Sequence, residues 1–219
     1  MYNYSEKYNI LFVHIPKNAG TSMNKVLEIE PKKTKHYPLS VLQAHMPKDI
    51  YRDSIKIAVV RNPWERMVSH YVYRQQKGYD QRGAPFYLWL RKGAIQFNMQ
   101  AFDSMPQCKW MMEQDSLSAD ESIDYVMNFE KIDEQWKEIC DIEKISPEPL
   151  QKLNTNPKYD YTDYYKTIDD IVLVGHYFRA DVKLFGYEFG VPNDFDLMKG
   201  SRKKDFIYEE NFNTKFNEN

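Results

Sequence analysis

Two short segments constrain this chain more than anything else in it: Val13-His14-Ile15-Pro16-Lys17-Asn18-Ala19-Gly20-Thr21-Ser22 and Val59-Val60-Arg61-Asn62-Pro63-Trp64-Glu65-Arg66-Met67-Val68-Ser69. Each follows a run that reads as a buried strand and leads into a run that reads as a helix. Parallel strands need crossovers of that kind, so the repeated order of strand, tight turn and helix predicts an α/β fold. The expectation is a P-loop-like parallel sheet, flanked by helices on both faces, in a single domain.

In the first segment, the apolar and branched run from Ile10 to Ile15 stops at Pro16, which cannot continue a central ladder. Asn18, Ala19 and Gly20 keep the turn small and let the backbone approach a bound group. Thr21 and Ser22 open a helix whose Met23, Val26 and Leu27 fall on one face. The first amides of such a helix have no intrahelical partner and point outward with the positive end of the dipole, which suits an anion. Lys17 adds a mobile positive charge there. The order differs from Walker A, where the lysine directly precedes the Ser/Thr at the helix start.

The second segment closes the strand Lys56–Val60 with Arg61-Asn62-Pro63. Pro63 suits a first helical turn, where its missing N–H would be unpaired anyway. The helix that follows directs Trp64, Met67, Val68 and Tyr71 to the core. Arg61 lies at the carboxyl end of its strand, where open α/β sheets bind ligands, and a guanidinium can grip a phosphate through two parallel bonds. Ser69, two turns into the helix, can donate to the same group, while Arg66 reads as a structural ion-pair residue. Two such turns suit a ligand phosphorylated at both ends.

On these residues the chain resembles the sulfotransferase superfamily, and in particular its carbohydrate branch, of the heparan-sulfate uronyl 2-O-sulfotransferase type. That branch opens with a His-Ile-Pro-Lys-Thr-Ala-Gly-Thr-Ser stretch and continues with Arg-x-Pro-x-x-Arg-x-x-Ser-x-Tyr; here Asn18 replaces the usual threonine, and the second stretch is complete from Arg61 to Tyr71. Weaker likenesses follow in order at Gln107 with Trp110 and Met111, at Phe129–Ile132 with Trp136, at Leu153-Asn154, and from Asp181 to Phe189. The resemblance implies 3′-phosphoadenosine 5′-phosphosulfate (PAPS) as sulfuryl donor. Lys17, Asn18, Ala19, Gly20, Thr21 and Ser22 would hold its 5′-phosphosulfate, and Arg61 with Ser69 its 3′-phosphate. The acceptor implied is a hydroxyl, on a saccharide or another small molecule.

Sulfuryl transfer needs a base for the acceptor hydroxyl and a cation for the leaving oxygen. Lys17 takes the second role. A sulfuryl group carries less negative charge than a phosphoryl group, so side-chain cations and amides suffice and no metal is expected. Histidine is the natural base near neutral pH. His45, between the two motifs, resembles the position of the family's catalytic histidine; a carboxylate is the runner-up. His14 reads as structural, His70 and His176 as ordinary partly buried residues, and His36 as solvated. Two other readings stay open: a P-loop-like nucleotide kinase or NTPase, which the missing Walker A order opposes, and a catalytically silent nucleotide-binding protein, which intact Lys17, Arg61, Ser69 and His45 oppose.

With 30 Lys+Arg against 32 Asp+Glu, the formal charge of −2 offers no global field for a polyanion, so no nucleic-acid partner is expected. Cys108 and Cys140 make neither a disulfide framework nor a metal cluster. No run is apolar enough for a membrane span or a signal peptide, so the expectation is a cytoplasmic enzyme. The domain is expected over residues 1–208, with the polar, Asn-rich 209–219 as a mobile tail. Acceptor-facing loops are expected at 28–44, 76–106 and 190–205, and Arg202–Lys204 forms a second basic cluster after Lys32–Lys35. Pro85–Ala94 and Asp133–Ile145 read as helices and Ile123–Phe129 as a strand; Ile168–Phe185 is one long helix by the resemblance, although Ile171–Val174 alone would suggest a strand.

Overall fold

The structure is a computed structural model that describes residues 2–30, 36–79, 83–91, 105–113, 122–150, 159–193 and 195–200. The expected basic clusters Lys32–Lys35 and Arg202–Lys204, the Leu153-Asn154 likeness, the tail 209–219, the end of the Pro85–Ala94 helix and parts of all three acceptor loops lie outside the described residues.

The sheet has five strands in the order β1 (Tyr4–Ser5), β2 (Ile10–Val13), β3 (Ile55–Val60), β4 (Tyr125–Asn128) and β5 (Met198–Lys199). The parallel sheet expected from the sequence is its centre. There β2 pairs with β3 in the register Phe12↔Ile57, and β3 with β4 in the register Val60↔Asn128. Both edges are two-residue strands running antiparallel, β1 along β2 and β5 along β4. Central strands covered on both faces read as continuous apolar runs, and Ile10 through Val13 are fully buried.

Alternate residues serve two separate cores. Phe12, Ile57, Val59, Tyr125 and Met127 pack with Met23 and Leu27 of α1 (Gly20–Val26 and its cap) and with Trp136 and Ile139 of α7 (Ile132–Glu143). Leu11, Val13, Ala58, Val60 and Val126 pack on the other face. That face holds α2 (Leu39–His45), α4 (Pro63–Lys77), α5 (Phe86–Trp89), α6 (Gln107–Trp110), α8 (Ile168–Tyr177) and α9 (Arg179–Phe185). The short α3 (Lys48–Asp53) leads into β3. Helices therefore flank both faces, as period-two alternation along a doubly covered strand requires.

Helix α4 starts as the sequence predicts. Asn62 accepts from the N–H of Trp64 at 3.0 Å and of Glu65 at 3.4 Å, and Pro63 takes the first helical position. The expected long helix over 168–185 is instead α8 and α9, broken at Phe178, and Ile171–Val174 are helical rather than extended. The break carries Phe178 into full burial and sets Asp181 in the first turn of α9, also fully buried. Where α8 crosses α4, Gly175 faces Trp64, and a Cβ at Gly175 would lie 2.9 Å from the indole Cζ2. Gly175→Leu should therefore overpack that crossing and lower the unfolding free energy by about 1–3 kcal/mol, read by chemical denaturation.

Candidate functional site

The first turn leaves β2 through Pro16, and its backbone then alternates in hand. Lys17 (φ 71°) and Ala19 (φ 54°) are left-handed, with Asn18 between them at negative φ. For residues with a Cβ this conformation costs roughly 1–2 kcal/mol each, and an alternation of hand along a turn is the backbone pattern from which anion-binding nests are built. Gly20 then begins α1, where a Cβ would stand 1.6 Å from His14 Nε2. The imidazole of His14 thus fills the space a side chain at position 20 would need. Burial, with the neighbouring His36 second, pushes His14 down to about 3, so the ring under the turn stays neutral. Thr21 is exposed and Ser22 is buried. The two hydroxyls therefore face different surroundings.

Arg61 opens the second turn and is 8 % exposed. Its Nη1 donates to the carbonyl of Lys17 at 3.2 Å, its Nη2 to Glu65 Oε1 at 2.6 Å, and its guanidinium carbon lies 4.1 Å from the centre of the Phe129 ring. Its Nε is buried with no partner. Ser69, also buried, stands one turn beyond Glu65 on the same helix face. Glu130, in the single 3₁₀ turn Phe129–Lys131, accepts from the N–H of Asn62 at 3.4 Å. Glu130 is open to solvent on one side, but the crowding that strips its water, followed by the charge of Glu65, pushes its carboxyl up to about 7 against the opposing pull of Arg61.

The two turns are locked together by Gln107, the first residue of α6 and fully buried. Its Oε1 accepts from Asn18 Nδ2 at 2.6 Å and from the N–H of Arg61 at 2.9 Å, while its Nε2 donates to the carbonyl of Arg61 at 2.8 Å. The side-chain amide thereby pairs both backbone groups of Arg61, as a neighbouring strand would, one residue past the end of β3. Asp181 holds the helix that carries Gln107: its carboxylate accepts from the N–H of Gln107 at 2.7 Å and of Cys108 at 2.8 Å. Burial raises the Asp181 carboxyl, and the two amides with nearby Arg66 oppose the shift. Arg66, expected as a structural ion-pair residue, is buried and bonds to backbone: Nε donates to the Pro16 carbonyl at 3.1 Å and Nη1 to that of Met105 at 3.2 Å.

Of the residues expected at the site, Lys17 and Arg61 meet directly. Asn18 turns its side chain inward, donating to the Val59 carbonyl at 2.8 Å as well as to Gln107, so only its backbone faces outward chemistry. The ammonium of Lys17 rests 4.1 Å from the ring centre of Tyr73 on α4. His45 is the exposed last residue of α2; its Nδ1 lies 2.8 Å from the Val41 carbonyl, and its own carbonyl accepts from Tyr2 Oη. A carbonyl can only accept, so Nδ1 carries a proton, and in the neutral ring Nε2 is the nitrogen with the lone pair.

His36 has the solvent exposure expected of it and also makes contacts with the first turn. It is exposed, but its ring packs 4.2 Å from that of His14 and its Nδ1 donates to the His14 carbonyl at 3.0 Å, which again leaves Nε2 as the acceptor. His70 is buried edge-on against Trp89, and His176 is exposed. Both cysteines are free and buried. Among the described residues no three His, Cys, Asp or Glu side chains are grouped to hold a metal ion, and no helix is long and apolar enough to cross a membrane.

Glu65, Asp181 and Glu130 carry structural weight that motif reading does not assign. Each lay inside a recognised stretch, but only the folded chain shows that they converge on Arg61 and Gln107. A model of the sulfotransferase family matches residues 1–188. Neither curated proteins nor solved structures give a match.

Two outcomes follow from this geometry. Gln107→Leu orphans the backbone groups of Arg61 and should lower the unfolding free energy by more than about 2 kcal/mol in chemical denaturation. Because folding raises the Glu130 carboxyl from 4.5 to about 7, its cost to the folded state begins above pH 4.5 and is complete above about pH 7. The melting temperature of Glu130→Gln should therefore pull ahead of the parent across that window and match it below.

Proposed function

The chain belongs to the sulfotransferase family, and we propose that it transfers the sulfuryl group of PAPS to a hydroxyl, on a saccharide acceptor. The observation that carries this reading is the junction of the two turns, where the buried guanidinium of Arg61 donates to the carbonyl of Lys17 at 3.2 Å and keeps a buried Nε without a partner. An unpaired guanidinium N–H in a buried cation is a site made for an anion. One ligand bearing a phosphate at each end would span the Lys17–Ser22 turn and Arg61 with Ser69.

PAPS supplies an activated sulfuryl group. In the transfer, the acceptor oxygen bonds to sulfur as the bond from sulfur to the 5′-phosphate oxygen breaks, and the electron pair leaves on that oxygen. Lys17 neutralises it, its ammonium moving from the face of Tyr73, which a flexible four-carbon stem permits. The amides of the nest at Lys17–Ala19 hold the phosphate in place. His45 takes the hydroxyl proton on Nε2, the nitrogen its Nδ1 bond leaves basic. His36 offers the same tautomer beside the first turn and is the competing candidate.

Titration calorimetry with 3′,5′-adenosine bisphosphate, 5′-AMP and magnesium-free ATP tests the donor site. The bisphosphate should bind at least tenfold tighter than 5′-AMP, and Arg61→Ala should lose roughly 10–100-fold of that affinity. Equal binding of all three would withdraw the reading. For the base, transfer of labelled sulfuryl groups to desulfated polysaccharides should fall about 10²–10⁴-fold in His45→Ala with bisphosphate binding kept. Full transfer by His45→Ala together with loss in His36→Ala would move the role to His36.

A further inference from the structure

We infer that Glu65 is a built-in carboxylate occupant of the Arg61 anion site, which keeps the guanidinium covered against singly charged anions until a phosphate dianion displaces it. The inference rests on the donor site proposed above and assigns to Glu65 its selectivity.

The argument starts from the fork of the guanidinium. Nε and Nη2 form one edge, spaced for two oxygens of a single anion. Glu65 Oε1 meets Nη2 at 2.6 Å, while Nε beside it is buried and unpaired. The carboxylate therefore uses half of the edge. A phosphate that reaches both nitrogens gains a bond that Glu65 leaves unmade, and it brings a second charge.

Position adds to this. The Glu65 side chain is 25 % exposed against 10 % for Arg61, so the carboxylate is the more open partner of the pair. Ser69 is one turn further along the same helix face, where a displacing phosphate would find a hydroxyl. Glu130 lies close enough to Glu65 for their charges to interact. An arriving chloride or carboxylate meets two acidic groups around one guanidinium, and it gains no more from Nη2 than Glu65 already does. Discrimination of this kind works by penalising the wrong ligand.

Glu65 is not needed to hold Arg61 in place. The guanidinium is fixed independently through Nη1 on the Lys17 carbonyl and by stacking on Phe129, and the backbone through Gln107. Taking the carboxylate away leaves that frame standing, which separates an occupant from a buttress.

The test is calorimetric binding of 3′,5′-adenosine bisphosphate and 5′-AMP to the parent, Glu65→Gln and Glu65→Ala at constant ionic strength, with and without sodium acetate. Both variants should bind the bisphosphate roughly tenfold tighter than the parent. Acetate, which should barely compete in the parent, should compete in the variants. Bisphosphate affinity that is unchanged or weaker in both variants, in a parent that prefers the bisphosphate over 5′-AMP, overturns this inference alone and makes Glu65 a buttress. A parent with no such preference removes the donor site itself, and the inference with it.

Discussion

The pairing of one side-chain amide with the backbone of Arg61 is what the rest of the site depends on. The parallel ladder ends at Val60, so Arg61 leaves the sheet with an N–H and a carbonyl that have no strand beside them. Gln107 supplies both complements from the start of a four-residue helix. Buried backbone groups left unpaired cost about 1–3 kcal/mol each, so this amide decides whether the chain can turn here at all. The same oxygen also accepts from Asn18, which makes the position of the first turn conditional on that of the second. Two strand-to-helix turns from different strands are thereby held at one spacing.

Burying the Arg61 guanidinium at this junction raises an electrostatic problem. A buried guanidinium without a counter-charge is strongly unfavourable. The chain answers with Glu65 one helical turn away, with the π face of Phe129 and with the Lys17 carbonyl. The cluster around Arg61 is consequently acidic as well as basic, and Glu130 is raised by its crowding beside Glu65. The first turn is handled differently, since its cation, Lys17, lies over an exposed tyrosine ring and can leave it. The two turns thus hold their cations differently, one fixed by several bonds and the other resting on a ring.

The supporting shell is aromatic and tightly fitted. His14 packs where position 20 can bear no side chain, and Trp64 packs where position 175 can bear none. Tyr165 donates from its hydroxyl to the Trp64 carbonyl at 3.0 Å, tying the segment before α8 to the first turn of α4. Such contacts fix the helix that carries Glu65 and Ser69 against the carboxyl end of the central strand from which Arg61 emerges.

Much of this was legible in the residues alone. The apolar runs Ile10–Ile15 and Lys56–Val60, the Pro16 stop, the Asn62-Pro63 helix start and the two loop motifs are local patterns, and local sterics and capping determine them whatever the rest of the chain does. The antiparallel edge strands of two residues were not legible, because so short a segment has no period to read. Nor was the break at Phe178, since no Gly or Pro marks it and the ring it buries finds its neighbours only in the packed chain. The inward turn of Asn18, the backbone bonds of Arg66, the packing of His36 on His14 and the convergence of Gln107, Asp181 and Glu130 around Arg61 all join residues distant in sequence. Sequence by itself determined the strand–turn–helix units and the kinds of charge they carry, because those depend on neighbours along the chain. Which of those charges are buried, paired or left open was decided only when the units packed, because desolvation and hydrogen bonding depend on neighbours in space.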